Sequence, residues 1–169
     1  MEENMFRKEK IDHWAPVSFE TSKYAQKAMA LFQEGYNCSQ SVFLAFEDCY
    51  DMDHQAALRL SSSFGGGMGR LREVCGAVSG MFMVAGLLYG YTSPTDNEKK
   101  KAHYALIQAM AQKFKDKTGS IICRELLGGP DNSPNPTLRT AEFYKKRPCS
   151  ELVRICADIV DQVIAEKGI

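Results

Sequence analysis

The chain has 169 residues, 44% of them hydrophobic and 25% charged, with 21 basic side chains against 21 acidic ones. That length supports one domain with its own core, and a formal charge of zero denies it the basic surplus with which nucleic-acid binders neutralise phosphates. Its six cysteines are too sparse for a disulfide-stapled secreted scaffold, so in a reducing compartment they stay thiols unless they do chemistry.

The opening stretch, Met1 to Trp14, is charged and has no apolar run, so no secretory signal is expected. Residues 1–17 read as an extension to a helical domain over residues 18–169, and a cytoplasmic location is expected. Helical spacing begins near Glu20, with Tyr24, Ala28, Leu31 and Phe32 on one face and Gly35 as a stop. Asn37 reads as the N-cap of a second helix carrying Cys38, Val42, Ala45 and Cys49 on one side. A third helix is expected over Asp53–Ser63, and the glycine run Phe64–Arg70 reads as a loop.

The longest apolar run, Val74 to Tyr89, is 16 residues long and contains Gly76, Gly80 and Gly86. It falls short of the roughly 20 residues that span a bilayer, so a buried central helix is expected and no transmembrane segment. Ser93-Pro94 predicts the opening of a long helix over residues 95–118, ended by Gly119. A short helix over Cys123–Leu127, a proline-rich loop to Pro136 and a last helix from Pro148 complete the pattern. Strand alternation is nearly absent. The expected fold is an all-α, single-domain multi-helix bundle.

Placed on these elements, Cys38, Cys75, Cys123 and Cys149 each fall at or near a helix start. Unpaired N–H groups and the positive end of the helix dipole stabilise an anion there, and the thiolate is both the nucleophile and the metal ligand of cysteine chemistry. Arg70, Arg72, Arg124 and Arg147 lie close to them in sequence and add to that field. Cys75 has both the glycine run and two arginines beside it and is therefore the expected attacking thiol. Cys49 and Cys156 fall on apolar faces and read as core.

The four are tens of residues apart, with no Cys-x-x-Cys pair, zinc-knuckle spacing, ferredoxin run or haem-attaching motif. Any pair or cluster is assembled by the fold. Gly65, Gly66, Gly67, Gly69 and Arg70 precede a helix without matching a dinucleotide fingerprint or a P-loop, so no nucleotide is expected. An anion-binding loop remains open there. Gly76 and Gly80 share a face, which points to a closely packed neighbour: another helix, a second subunit or a cofactor. The histidines His13, His54 and His103 are scattered, and no hydrolase motif is present.

The stretch Gly35-Tyr-Asn-Cys-Ser-Gln-Ser41, the run Gly65–Arg70, Cys75-Gly-Ala-Val-Ser-Gly80, and then Cys123 and Cys149 together resemble the C_GCAxxG_C_C family of redox-active proteins, with its CGAxxG motif and four hallmark cysteines. The resemblance implies a role for Cys38, Cys75, Cys123 and Cys149 in thiol–disulfide chemistry with a redox partner or a small-molecule oxidant or disulfide. The same four thiolates equally suit an alternative, a bound metal ion or iron–sulfur cluster. A homodimer through the glycine-bearing helix is left open, and no haem is expected.

Overall fold

In the computed structural model, which describes residues 22–129 and 131–169, the chain folds as an all-α bundle. Among the described residues there is no strand, only an isolated antiparallel bridge between Val74 and Ile122. The extension expected over residues 1–17, with His13, lies outside the described residues.

Helix α1 (Lys23–Glu34) starts where the Ser22 hydroxyl accepts the Ala25 N–H at 3.2 Å, and it buries Ala25, Ala28 and Phe32. In α2 (Cys38–Ala45) the expected Asn37 cap is reciprocal. The Asn37 side chain accepts the Gln40 N–H at 2.8 Å, and the Gln40 side chain accepts the Asn37 N–H at 3.1 Å. This helix stops short of Cys49, which ends a 3-10 turn over Glu47–Cys49. Phe46 turns inward there and stacks on Tyr24 at 4.4 Å between ring centres.

After α3 (His54–Ser62), capped by Asp53, comes a single tight turn, α4 (Gly65–Met68), and then α5 (Gly76–Tyr89). The long helix α6 (Asn97–Thr118) opens two residues later than the expected start at residue 95. Its cap is Asp96, whose carboxylate accepts the Lys99 N–H at 3.0 Å; a carboxylate also meets the positive end of the dipole, which serine does not. Next come α7 (Cys123–Leu127), α8 (Ala141–Lys146) and α9 (Cys149–Lys167). Helix α8 is missing from the sequence reading, where the prolines before it mask a Thr140 cap.

Helix α5 is apolar on every side and is buried without a break from Gly76 to Met81, as expected of a central element. It lies against α2 along the face that carries Gly76 and Gly80, so the close neighbour is a helix of the same chain. Helix α9 covers α1, α2 and α5 with Leu152, Ile155, Ile159 and Val163. With the glycine face taken up inside the monomer, that face offers no surface to a second subunit. No helix among the described residues is long and apolar enough to cross a membrane.

Candidate functional site

The glycine run forms a turn of unusual hand where a loop is expected. Gly66, Gly67, Met68, Gly69 and Arg70 have φ of 67°, 72°, 65°, 63° and 67°, and Arg72 follows at 60°. Left-handed backbone costs a residue with a Cβ about 1–2 kcal/mol, so Met68, Arg70 and Arg72 are held by their surroundings. Arg70 donates to the Ser133 carbonyl at 2.7 Å, to the Thr137 hydroxyl at 3.0 Å and to the Asp131 carboxylate at 3.2 Å. Arg72 donates through Nε to the Asp131 carbonyl at 2.7 Å. The turn thus ties the proline-rich segment down over the site.

The N–H groups of Met68, Gly69, Arg70 and Glu73 donate to carbonyls of Phe64, Gly65, Gly65 and Gly67. They are spent inside the turn. In an anion loop built from Gly65, Gly66, Gly67, Gly69 and Arg70, the N–H groups of Gly69 and Arg70 are therefore already engaged.

Leaving the turn, the chain pairs with the segment before α7. The Cys75 N–H donates to the Ile121 carbonyl at 2.8 Å and the Cys123 N–H to the Glu73 carbonyl at 2.6 Å. Val74 faces Ile122, so Cys75 and Cys123, each one residue on, come out on the same side. Gly67 sits directly on Cys123, where a Cβ would come within 2.6 Å of the cysteine Cβ. Cys38 opens α2, Cys75 caps α5, Cys123 opens α7 and Cys149 opens α9.

All four cysteines line one cavity of about 470 Å³, with Gly65, Gly66, Gly69 and Arg70 on its wall. Its apolar lining includes Phe32, Leu126, Phe143 and Leu152, and Arg72, Arg139 and Arg147 also face it. Cys38 Sγ occupies the space where a side chain on residue 76 would stand, which places it directly beside Cys75. Cys38 and Cys149 are partly exposed, while Cys75 and Cys123 are buried.

A family model described as "Putative redox-active protein (C_GCAxxG_C_C)" matches residues 36–163. The chain belongs to that family. No curated protein and no solved structure matches it. The matched region runs from just before Cys38 to α9 and so contains every wall of the cavity except Phe32 and Gly35.

Within this C_GCAxxG_C_C domain, burial works against the expectation that Cys75 is the most activated thiol. Burial pushes the Cys75 thiol well above its ordinary value, and the neighbouring Cys38 pushes it further. Burial likewise raises Cys149, to about 12, with Cys38 adding and Arg147 opposing. Cys123 is raised by burial, against an Arg72 Nη1 donor 3.7 Å from its sulfur. Desolvation outweighs the helix start at all three. Cys38 is their common neighbour: its charge raises each of them and Cys156 as well.

Cys156 is buried core as expected, yet it stands close enough to Cys75 to raise it and is itself raised by Cys38. Seven residues, two helical turns, separate it from Cys149, a same-face spacing that could have flagged it. Cys49 is only half-buried, 3.1 Å from the Tyr24 hydroxyl, and is no part of the cavity. Among the described residues no three Cys, His, Asp or Glu side chains stand close enough to share a metal ion. The metal or cluster alternative on Cys38, Cys75, Cys123 and Cys149 therefore has no ready ligand set.

Burial and charge together set a labelling order. Limited alkylation of the reduced native protein near pH 8 is expected to modify Cys38 first, because the thiols of Cys49, Cys75, Cys123, Cys149 and Cys156 are all raised. Peptide mass mapping over a time course reads the order. Prior labelling of Cys75 or Cys123 would contradict it.

The same shifts predict alkaline lability. In the unfolded chain these thiols ionise near the ordinary value of 9.0, while in the fold they keep their protons to higher pH, to about 12 for Cys149. Above pH 9 the folded state thus binds more protons, so stability is complete below that point and falls as pH rises toward the folded values. Tyr24 and Tyr50 are raised too, but from 10.0, which leaves the onset to the cysteines. Tm should be level from pH 7 to 8.5 and decline from about pH 9, with a shallower decline in Cys156→Ala. A wild-type Tm steady to pH 11 would refute the buried-thiol assignment.

Proposed function

We propose that this protein is a thiol–disulfide redox protein in which Cys38 attacks and a neighbour on the same cavity, Cys75 or Cys149, resolves. The observation that carries the reading is the convergence of four cysteines from four separate helix starts on one cavity, with Cys38 the common electrostatic neighbour of the rest. The Cys38 thiolate attacks one sulfur of a substrate disulfide, forming a mixed disulfide and releasing one thiolate. That step removes the negative charge at Cys38. The repulsion that added to burial in holding its neighbour protonated is then gone, so the second thiol passes its proton to the released thiolate more readily and attacks Cys38 Sγ. An internal disulfide forms, the second substrate thiol leaves, and two cysteine thiols have been oxidised for one disulfide reduced.

The test is to titrate reduced protein with bis(2-hydroxyethyl) disulfide and map the product by mass. An internal disulfide joining Cys38 to Cys75 or Cys149 is expected, with loss of two hydrogens. No reaction, or stoichiometric metal in anaerobically purified protein that Cys75→Ser abolishes, would overturn the reading in favour of a bound metal or cluster.

A further inference from the structure

Four arginines, Arg70, Arg72, Arg139 and Arg147, line the cavity, and no aspartate or glutamate does. Of these four, only Arg70 forms an ion pair among the described residues, with Asp131 at 3.2 Å. Arg72 is 4% exposed and spends its donors on a carbonyl and on Cys123 Sγ. Arg72 shares the field of Asp131 with Arg70, whereas Arg139 and Arg147 line the cavity with no carboxylate partner among the described residues, so this wall suits an anion. Arg139 is held by the Phe32 and Tyr36 carbonyls, at 3.1 and 3.0 Å, with its charge over the Phe32 ring at 4.2 Å. Arg147 lies over Phe143 at 5.5 Å, and no hydrogen bond or ion pair engages its guanidinium among the described residues. The positive ends of α2, α5 and α9 converge on the same space. The thiols that could supply negative charge are mostly held neutral by burial.

We propose that the substrate of this cavity is a small disulfide carrying carboxylates, whose negative group is held by Arg147 while its sulfur meets Cys38. The inference rests on the thiol–disulfide reading above and adds the charge of the substrate. A cavity of about 470 Å³ suits a small molecule better than a protein loop. The apolar wall of Phe32, Leu126, Phe143 and Leu152 accepts the carbon chain, and the arginine supplies planar, forked donors to a carboxylate. Electrons and protons balance as before: two cysteine thiols become one disulfide, and the substrate disulfide becomes two carboxylate-bearing thiols.

Three dialkyl disulfides of similar size separate charge from reactivity: 3,3′-dithiodipropionate, bis(2-hydroxyethyl) disulfide and cystamine. Each second-order rate with the reduced protein is divided by that with a free small thiol. The anionic compound is expected to exceed the neutral one, and the neutral one the cationic, by roughly tenfold at each step, as charge-assisted hydrogen bonds allow. Added salt should narrow the spread. Arg147→Gln should bring the anionic-to-neutral ratio down toward one, and Arg147→Lys should retain part of it. Equal normalised rates for all three in the wild type would overturn this inference and leave the thiol–disulfide reading standing. No reaction with any of them would overturn that reading itself.

Discussion

Replacing Cys38 with serine is expected to slow oxidation of the reduced protein by bis(2-hydroxyethyl) disulfide by roughly ten- to fortyfold. The magnitude follows from what remains. With Cys38 gone, the other partly exposed thiol on the cavity is Cys149, whose value stands at about 12 against an ordinary 9.0. A thiol raised that far holds about a thousandfold less thiolate at neutral pH than an ordinary one, while its stronger intrinsic nucleophilicity regains about 25-fold, so it reacts about fortyfold more slowly than an ordinary thiol. Cys75 and Cys123 add burial to the same penalty. Removing Cys38 also removes the charge that raised its neighbours, which returns part of the loss and keeps the effect from being total. Cys49→Ser, outside the cavity, should stay within about twofold. Circular dichroism of both variants guards against a folding effect. A Cys38→Ser protein that keeps a third of the wild-type rate would move the attacking role elsewhere.

Much of the bundle was legible because its helices carry their own punctuation. Asn37 with Gln40 three residues on, the 22-residue α6 closed by Gly119, and Cys123–Leu127 closed by Gly128 are local signals that tertiary contacts leave alone. The site was legible in membership, since four helix starts carrying cysteine are visible without a structure. Two things were not. The hand of the Gly66–Arg70 turn depends on Arg70 and Arg72 reaching a segment some sixty residues away, and no local pattern encodes that reach. The order of thiol reactivity depends on burial, and burial reverses what a helix start alone dictates. Arg139 escaped notice for a related reason: it is placed by the carbonyls of Phe32 and Tyr36, more than a hundred residues away in sequence.

The glycines of α5 lead to the second large effect, because two substitutions of the same kind in one helix should have opposite signs. Alanine is favoured over glycine inside a helix by about 1 kcal/mol, so each Gly→Ala change begins with that gain. At Gly80 a Cβ would stand 2.7 Å from the Ser39 carbonyl oxygen and 3.1 Å from Val42 Cβ. Both belong to α2, and the nearer one is backbone, which cannot rotate aside. The two helices must separate, and overpacking of this kind costs about 1–3 kcal/mol. The push falls one residue from Cys38, so the cavity opens with it. At Gly86 nothing lies within 4 Å of the added methyl, and the propensity gain stands alone. Gly80→Ala, where the overpacking cost is set against the helix gain, is therefore expected to lower Tm by up to roughly 8 °C, and Gly86→Ala to raise it by about 2–4 °C. Calorimetry on the two variants at pH 7 checks both signs. A Gly80→Ala protein as stable as Gly86→Ala would mean that α2 and α5 are not in backbone contact, and the placement of Cys38 beside Cys75 would fall with it.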